Sequence, residues 1–351
     1  MNMDAVRKIA DAVLYEGYLL YPYRASALKN RKRWNFGVLV PDSYHRIYPE
    51  SDPSTMRTEC LLEGTPETRI ELKGRFLRVV RRRVGQLLEP LGSQRSGPAF
   101  HFVHSLQVGT DFHQSFDETV EREMDIAPHT FNELFFDAQT YAFPFSRTCG
   151  WQPLRGSGGQ VAGLLAREQE AITALLDLAV TQLAEGLFRL HVTLRNGTSV
   201  RQPWEKSREE ILPFSMIATH LILSVEGGAF LSLTDPPDYA RAEARGCRNL
   251  GVWPVLAGAE GDRSLMLAAP IILYDYPQVA PESPGDFFDG TEIDEMLTLR
   301  VQTLTDQEKQ EVRLTDAPAE SILTRSDGLP AEHLWKLHGA LKSLHTTEHT
   351  G

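Results

Sequence analysis

Strict alternation of apolar and polar residues is the feature that most constrains the fold of this chain. In LFRLHVTLRNGTSV, the apolar residues Leu190, Val192 and Leu194 alternate with polar ones. Successive side chains of a strand point to opposite faces, so this period of two predicts a strand with one buried face. The pair Asn196-Gly197 then favours a tight hairpin turn, because both residues accept positive φ.

The same pattern recurs along the chain and predicts a β-rich protein. The further predicted strands are 36–40, 69–84, 100–108, 141–146, 252–256, 265–274 and 296–303. A second hairpin is predicted in MIATHLILSVEGGAFLSL, with its turn at Gly227-Gly228. Residues 41–66 contain several prolines and few apolar runs, and they are interpreted as a long irregular connection.

Helical spacing is confined to a few segments. Residues 3–16 place Val6, Ile9 and Val13 on one face, which predicts an amphipathic helix. An apolar stripe from Leu164 to Leu183, ended by Gly186, predicts a long helix. The remaining predicted segments are an acidic helix or loop over 116–125, a short capped helix from 305 and a terminal helix over 330–345.

Hairpins joined by a few helices predict an α+β fold built mainly of antiparallel β-sheets in a sandwich-like arrangement. The 351 residues exceed what one small core needs. We therefore expect an N-terminal β-rich domain with a leading helix over 1–150 and a C-terminal α+β domain over 151–351, or one continuous large domain.

Composition and charge indicate the cellular location of the protein and disfavour some classes of partner. The net charge of −11 disfavours nucleic-acid binding, because the phosphate backbone attracts positive proteins. The most apolar stretch, 214–233, is interrupted by His220 and Glu226, so no membrane insertion is expected. The three cysteines, Cys60, Cys149 and Cys247, form no CxxC pair. They predict a reducing, cytoplasmic location and no bound cofactor.

Few residues form a recognisable chemical motif, and catalytic residues stay unassigned. His101, His104 and His113 lie close to Asp111, and these residue types bind transition metals. However, His101 and His104 are three positions apart and would face opposite sides of a strand, which weakens joint ligation. No metal site is therefore assigned, and these four residues stay as candidates. The basic run 81–83 is interpreted as a solvated face or a guarded sheet edge.

The stretch YEGYLLYPYRASALKNRKRWNFG mixes aromatic residues with positive charges. Tyrosine, tryptophan and arginine are enriched at binding hot spots, which favours a protein-binding surface. Its candidate partner-binding residues are Tyr21, Tyr23, Arg24, Lys29, Arg31, Arg33 and Trp34. Three alternatives stay open: a solvated basic loop, nucleic-acid contact by stacking, and docking against the acidic block 275–295.

Two stretches carry a family resemblance. They are DAVLYEGYLLYPYRASALKNRKRWNFGVL near the start and APIILYDYPQVAPESPGDFFDGTEIDEMLTLRVQTLTDQEK near the end. Both resemble a bacterial family whose members are commonly encoded beside nickel–iron hydrogenase structural and maturation genes. The resemblance implies an accessory role and brings no catalytic residues with it.

From the resemblance and the aromatic-basic stretch, we expect a non-catalytic accessory or scaffold protein for hydrogenase assembly, maturation or complex formation. Its expected partner is a hydrogenase subunit or a maturation protein. Two alternatives stay open. One is a metal-handling protein or enzyme with a histidine-containing site, and the other is a regulatory module that binds a small ligand between its β layers.

Overall fold

The computed structural model describes residues 3–15, 36–88 and 100–278. The helices in these ranges are α1 Met3–Tyr15, α2 Asp42–His45, α3 Phe131–Phe136, α4 Arg208–Ile211 and α5 Arg241–Gly246. The strands are β1 Thr55–Glu63, β2 Arg69–Leu87, β3 Phe100–Val103, β4 Ser105–Val108, β5 Asp111–Gln114, β6 Phe116–Thr130, β7 Gln139–Phe145, β8 Thr148–Arg155, β9 Val161–Gln169, β10 Ile172–Ala184, β11 Leu187–Asn196, β12 Ile217–Glu226, β13 Ala229–Leu231, β14 Trp253–Leu256 and β15 Leu265–Ala269.

Antiparallel sheets dominate these ranges, as the alternation predicted. A five-stranded sheet has the order β13-β1-β11-β10-β7. An eight-stranded sheet contains the path β14-β15-β12-β2-β9-β8, and β3 and β6 also pair with β2. The strands β4 and β5 form a separate hairpin. No helix in the described ranges is long and apolar enough to cross a membrane.

The largest core contains side chains from both large sheets. Cys60, Leu176 and Leu190 from the five-stranded sheet share it with Phe76 and Leu221 from the eight-stranded sheet. Each sheet therefore buries one face against the other. Burial of apolar area on this scale is the main favourable term in folding.

Both sheets also combine strands from the two sides of residue 150. The five-stranded sheet joins β1 and β7 to β10 and β11, and the eight-stranded sheet joins β2 and β6 to β9 and β12. Residue 150 itself lies inside β8. The described residues therefore do not divide at that position.

The 19-residue strand β2 is the centre of the eight-stranded sheet. It pairs with β12 over 69–77 and with β6 over 69–82, and its second half pairs with β9 and β3. The basic run 81–83 is therefore in a central strand, so its interpretation as a sheet edge is wrong, and of its three arginines Arg82 is not on a solvated face. Arg82 is 8% exposed, and its Nη1 lies 2.7 Å from Glu118 Oε1.

The acidic segment 116–125 is part of β6, and the prediction of a helix or loop is wrong. Its carboxylates instead face the cations of β2. Arg75 is 1% exposed, and its Nη2 lies 2.6 Å from Asp11 Oδ1 and 3.2 Å from Glu121 Oε2. Glu123, directly opposite Arg75 in the sheet, lies 3.2 Å from Arg75 Nε. A buried cation requires such partners, so these charges set the pairing of β2 with β6.

The predicted N-terminal helix is confirmed as α1. It covers the outer face of the eight-stranded sheet, where Val6, Ile9 and Val13 pack in one cluster with Ile222 and Leu267. The pair between Asp11 of α1 and buried Arg75 adds a polar contact to this apolar stripe. Packing of the apolar face provides most of the stability of a helix of this length.

The predicted long helix over 164–183 is wrong, because this segment forms β9 and β10. In β10, every second residue from Ile172 to Val180 is buried, which is the period of a strand. Leucine and alanine favour helices locally, but pairing with β7 and β11 outweighs that weak preference. Because β9 and β10 belong to different sheets, the chain crosses the core at 170–171.

Neither predicted hairpin turn joins two strands that pair with each other. Asn196 is buried, and its Nδ2 donates to the carbonyls of Leu39 at 2.8 Å and Phe214 at 2.9 Å. The hairpin partner of β11 is β10, which precedes it, with Gly186 at φ +73° in the turn. The turn at 227–228 leads from β12 in one sheet to β13 in the other.

The remaining differences from the sequence predictions concern irregular segments. The predicted connection over 41–66 contains α2 and β1, and residues 36–40 form only an isolated bridge, from Leu39 to Met216. His104 separates β3 from β4, and β15 ends at Ala269. The predictions at 296–303, 305 and 330–345, and those for most of the block 275–295, lie outside the described residues.

Replacing Arg75 with methionine should lower the free energy of unfolding by about 1–2 kcal/mol, because three partly exposed carboxylates lose the cation that they share. Urea unfolding of both proteins measures this loss. The control is Lys73→Met, which removes a cation of the same network that is 28% exposed in its side chain and should cost less than about 1 kcal/mol. Equal losses in the two variants would contradict the central role of Arg75.

Candidate functional site

The residues predicted to bind a partner are not among those that the structure describes. This applies to Tyr21, Tyr23, Arg24, Lys29, Arg31, Arg33 and Trp34. Their role stays a prediction.

The histidine group is described, and it forms no metal centre. His101 lies on β3, Asp111 and His113 lie on β5, and His104 lies between β3 and β4. The His104 ring contacts the Gln114 side chain at 3.1 Å. Burial lowers the pKa of His113, although Asp111 opposes this shift. Among the described residues, no three histidine, cysteine, aspartate or glutamate side chains are arranged to hold a metal ion.

A different surface presents exposed arginines at the edge of the five-stranded sheet. Arg245 lies in α5, and Arg248 and Leu250 follow it, with all three side chains exposed. Arg57 on β1 pairs with Leu250 through the backbone, and its side chain is 41% exposed. We call Arg57, Arg245, Arg248 and Leu250 the arginine face. Within the described ranges, the side chains of Arg245 and Arg248 form no ion pair.

The backbone of the arginine face is held firmly against β1. The Arg248 N–H donates to Glu59 Oε2 at 2.8 Å, and the Glu59 N–H donates to Asn249 Oδ1 at 2.9 Å. Leu250 exchanges two backbone hydrogen bonds with Arg57, at 2.8 and 3.0 Å. These bonds fix the backbone of the segment that carries Arg248 and Leu250.

Glu59 is the buried carboxylate on which this anchor depends. Its side chain is 3% exposed. Burial alone would raise the pKa of Glu59, but hydrogen bonds from the Arg248 N–H and from His191, together with the charge of Arg57, outweigh it. The pKa of Glu59 therefore lies below its ordinary value, and the carboxylate is ionised at neutral pH.

Glu59 also starts a chain of hydrogen bonds across three strands. His191 on β11 is directly opposite Glu59, and its Nδ1 lies 3.2 Å from Glu59 Oε1. The other ring nitrogen, Nε2, lies 3.0 Å from Thr181 Oγ1 on β10. An ionised carboxylate can only accept, so Nδ1 carries the hydrogen and Nε2 of a neutral ring accepts from the Thr181 hydroxyl. We call these three residues the relay.

Sequence reasoning missed the relay and the arginine face, although signals for both were present. The alternation in β11 places His191 on the polar face of its strand, and the run RAEARGCR over 241–248 is strongly basic. What the sequence does not contain is the pairing of β1 with β11 and of β11 with β10. That pairing brings Glu59, Thr181 and His191 together.

Comparisons with known proteins do not assign a role to this site. No protein-family model matches the chain, and no curated protein matches it. The site is therefore interpreted from its own residues.

Replacing Glu59 with glutamine should lower the free energy of unfolding at pH 7 by about 1–3 kcal/mol, because buried donors lose a charged acceptor. The difference from the unchanged protein should shrink with acid. The pKa of glutamate in an unfolded chain is about 4.3. The stability due to Glu59 is therefore present above that pH, and it is lost as the pH falls through the lower pKa of Glu59 in the folded state.

Urea unfolding at several values between pH 7 and pH 3 measures this dependence. Glu71→Gln, at an exposed position of β2, is the control and should change stability by less than about 0.5 kcal/mol. A Glu59→Gln deficit that stays constant across the pH range would contradict the role given to the ionised carboxylate.

Proposed function

We propose that this protein is a cytoplasmic accessory or scaffold protein that binds a hydrogenase subunit or maturation protein, and that the arginine face contacts this partner. The observation that carries the binding role is the arginine face itself. The resemblance of the two terminal stretches supports the class of partner. In this proposal the chain has an α+β, sandwich-like architecture, and its three free thiols support a reducing compartment.

The geometry of the arginine face supports binding to another polypeptide. Arginine is enriched at the centres of interfaces, where its planar group forms several hydrogen bonds. Leu250, 57% exposed, adds apolar surface beside the charges. The hydrogen bonds to Glu59 and Arg57 hold the backbone, so a partner would meet a rigid surface.

Charge indicates what this partner presents. Among the described residues, the guanidinium groups of Arg245 and Arg248 form no ion pair, in a chain whose net charge is −11. Such a local excess attracts an acidic segment and speeds its association, whereas the rest of the surface repels it. We therefore propose that the partner contributes aspartate or glutamate side chains to this contact.

Affinity purification from the native host tests the proposal. The unchanged protein should recover hydrogenase subunits or maturation proteins at low salt, and recovery should fall as salt rises. The double variant Arg245→Glu, Arg248→Glu should reduce recovery at least about tenfold, because each reversed charge repels an acidic partner. The matched control is Arg155→Glu, Arg201→Glu, which reverses two exposed arginines elsewhere.

Two outcomes would contradict separate parts of the proposal. Recovery of no hydrogenase-related protein by the unchanged chain would remove the partner class. Equal recovery by the Arg245/Arg248 variant and its control would remove the arginine face. Joint replacement of Arg31, Arg33 and Trp34 tests the predicted aromatic-basic surface in the same way.

A further inference from the structure

The relay places a hydroxyl, an imidazole and an ionised carboxylate in one hydrogen-bonded chain. We propose that Thr181, His191 and Glu59 form a site at which the Thr181 hydroxyl accepts an acyl group from an ester and passes it to water. This activity goes beyond the binding role proposed above and does not depend on it.

The hydrogen bonds of the relay connect Glu59 to one nitrogen of the His191 ring and Thr181 to the other. Ionised Glu59 favours the tautomer of His191 with its hydrogen on Nδ1, and in that tautomer Nε2 can accept from Thr181. In that tautomer, the imidazole is a base already positioned against the hydroxyl. A nucleophile bound to a base that a third group orients is the arrangement that activates hydroxyl groups in acyl-transfer enzymes.

The exposure of the side chains increases along the relay from Glu59 to Thr181. The Glu59 side chain is 3% exposed and that of His191 is 27% exposed, and Thr181 is at the surface. A solute can therefore reach the hydroxyl, while the carboxylate stays shielded from water. Shielding strengthens the interaction of Glu59 with the imidazolium that forms during the reaction.

The charges around the relay indicate the class of ester. Arg189 is directly opposite Thr181 in the pairing of β10 with β11, and Glu243 holds its Nη2 at 2.8 Å. Directly opposite residues have Cβ atoms about 5 Å apart, so Arg189 is a neighbour of Thr181, but its charge is paired with that of Glu243. The arginine face adjoins the other end of the relay through Glu59. The charge of that face favours an ester that carries a carboxylate or phosphate group.

The reaction balances without a cofactor. Thr181 Oγ1 bonds to the acyl carbon while its proton moves to His191 Nε2. The bond from that carbon to the leaving oxygen then breaks, and the leaving group takes the proton from His191. Water next attacks the acyl carbon with His191 as base, the bond to Thr181 breaks, and its hydroxyl recovers a proton.

Hydrolysis of 4-nitrophenyl acetate and of the anionic mono-4-nitrophenyl succinate by the purified full chain tests this proposal. Release of 4-nitrophenolate gives the rate, and peptide mass mapping locates the acyl group. We expect acylation of Thr181 and a higher kcat/KM for the anionic ester. Thr181→Ala and His191→Gln should each lower the rate about 100-fold, and Thr181→Ser should retain it.

Two further variants separate chemistry from structure. Thr193→Ala removes a hydroxyl on the face of β11 that also carries His191, and it should leave the rate of ester hydrolysis unchanged. Glu59 acts as a positioning residue, so Glu59→Gln should lower kcat about 100-fold with little change in KM, well below the melting temperature of the variant. Glu59→Asp, which retains the charge, should recover part of that loss.

Several results would overturn the proposal. They are an unchanged rate in Thr181→Ala, acylation of His191 or lysines instead of Thr181, and the absence of any acylated protein in both the unchanged chain and Thr181→Ser. Equal kcat/KM for the two esters would reject the anionic substrate class. Affinity purification does not involve Thr181, so failure of one proposal leaves the other testable.

Discussion

Three buried arginines in the central strand β2 must each find a partner, and the eight-stranded sheet depends on this constraint. Arg75 forms ion pairs with carboxylates from β6 and α1, and Arg82 with Glu118. Arg78 donates to the carbonyls of Ser146, at 2.7 Å, and Glu170. Burial lowers the pKa of Arg78 to about 10, which leaves it charged at neutral pH. A shifted register would leave a cation buried without a partner, so these contacts specify one pairing.

The sequence was sufficient to predict what depends on local pattern. Alternation predicted antiparallel strands at β2 and β11, and the apolar stripe of Val6, Ile9 and Val13 predicted α1. Local pattern gave the wrong prediction at β9 and β10, because leucine and alanine favour helices but these segments form strands. It also gave the wrong prediction at β6, whose acidic side chains pair with cations of β2. Which strands pair is a non-local property. The relay joins positions 59, 181 and 191, so its existence could not be inferred without that pairing.

Glu59 links the two roles proposed for this surface. One of its oxygens accepts from the backbone of the arginine face, and the other accepts from His191. A partner that displaces the Arg248 backbone would therefore also displace the carboxylate that orients the imidazole of His191. Such a shared group gives a direct physical route by which binding and chemistry could influence each other, because any change in its position changes both contacts.

The crossing of the chain between the two sheets has a consequence for how the protein is made. Arg69 of β2 pairs with Glu226 of β12, and Leu61 of β1 pairs with Leu231 of β13. Neither sheet can therefore close until the ribosome has released more than two hundred residues. Distant pairings of this kind slow folding and leave unpaired strand edges exposed during synthesis. Unpaired strand edges of this kind are the surfaces that promote aggregation before folding is complete.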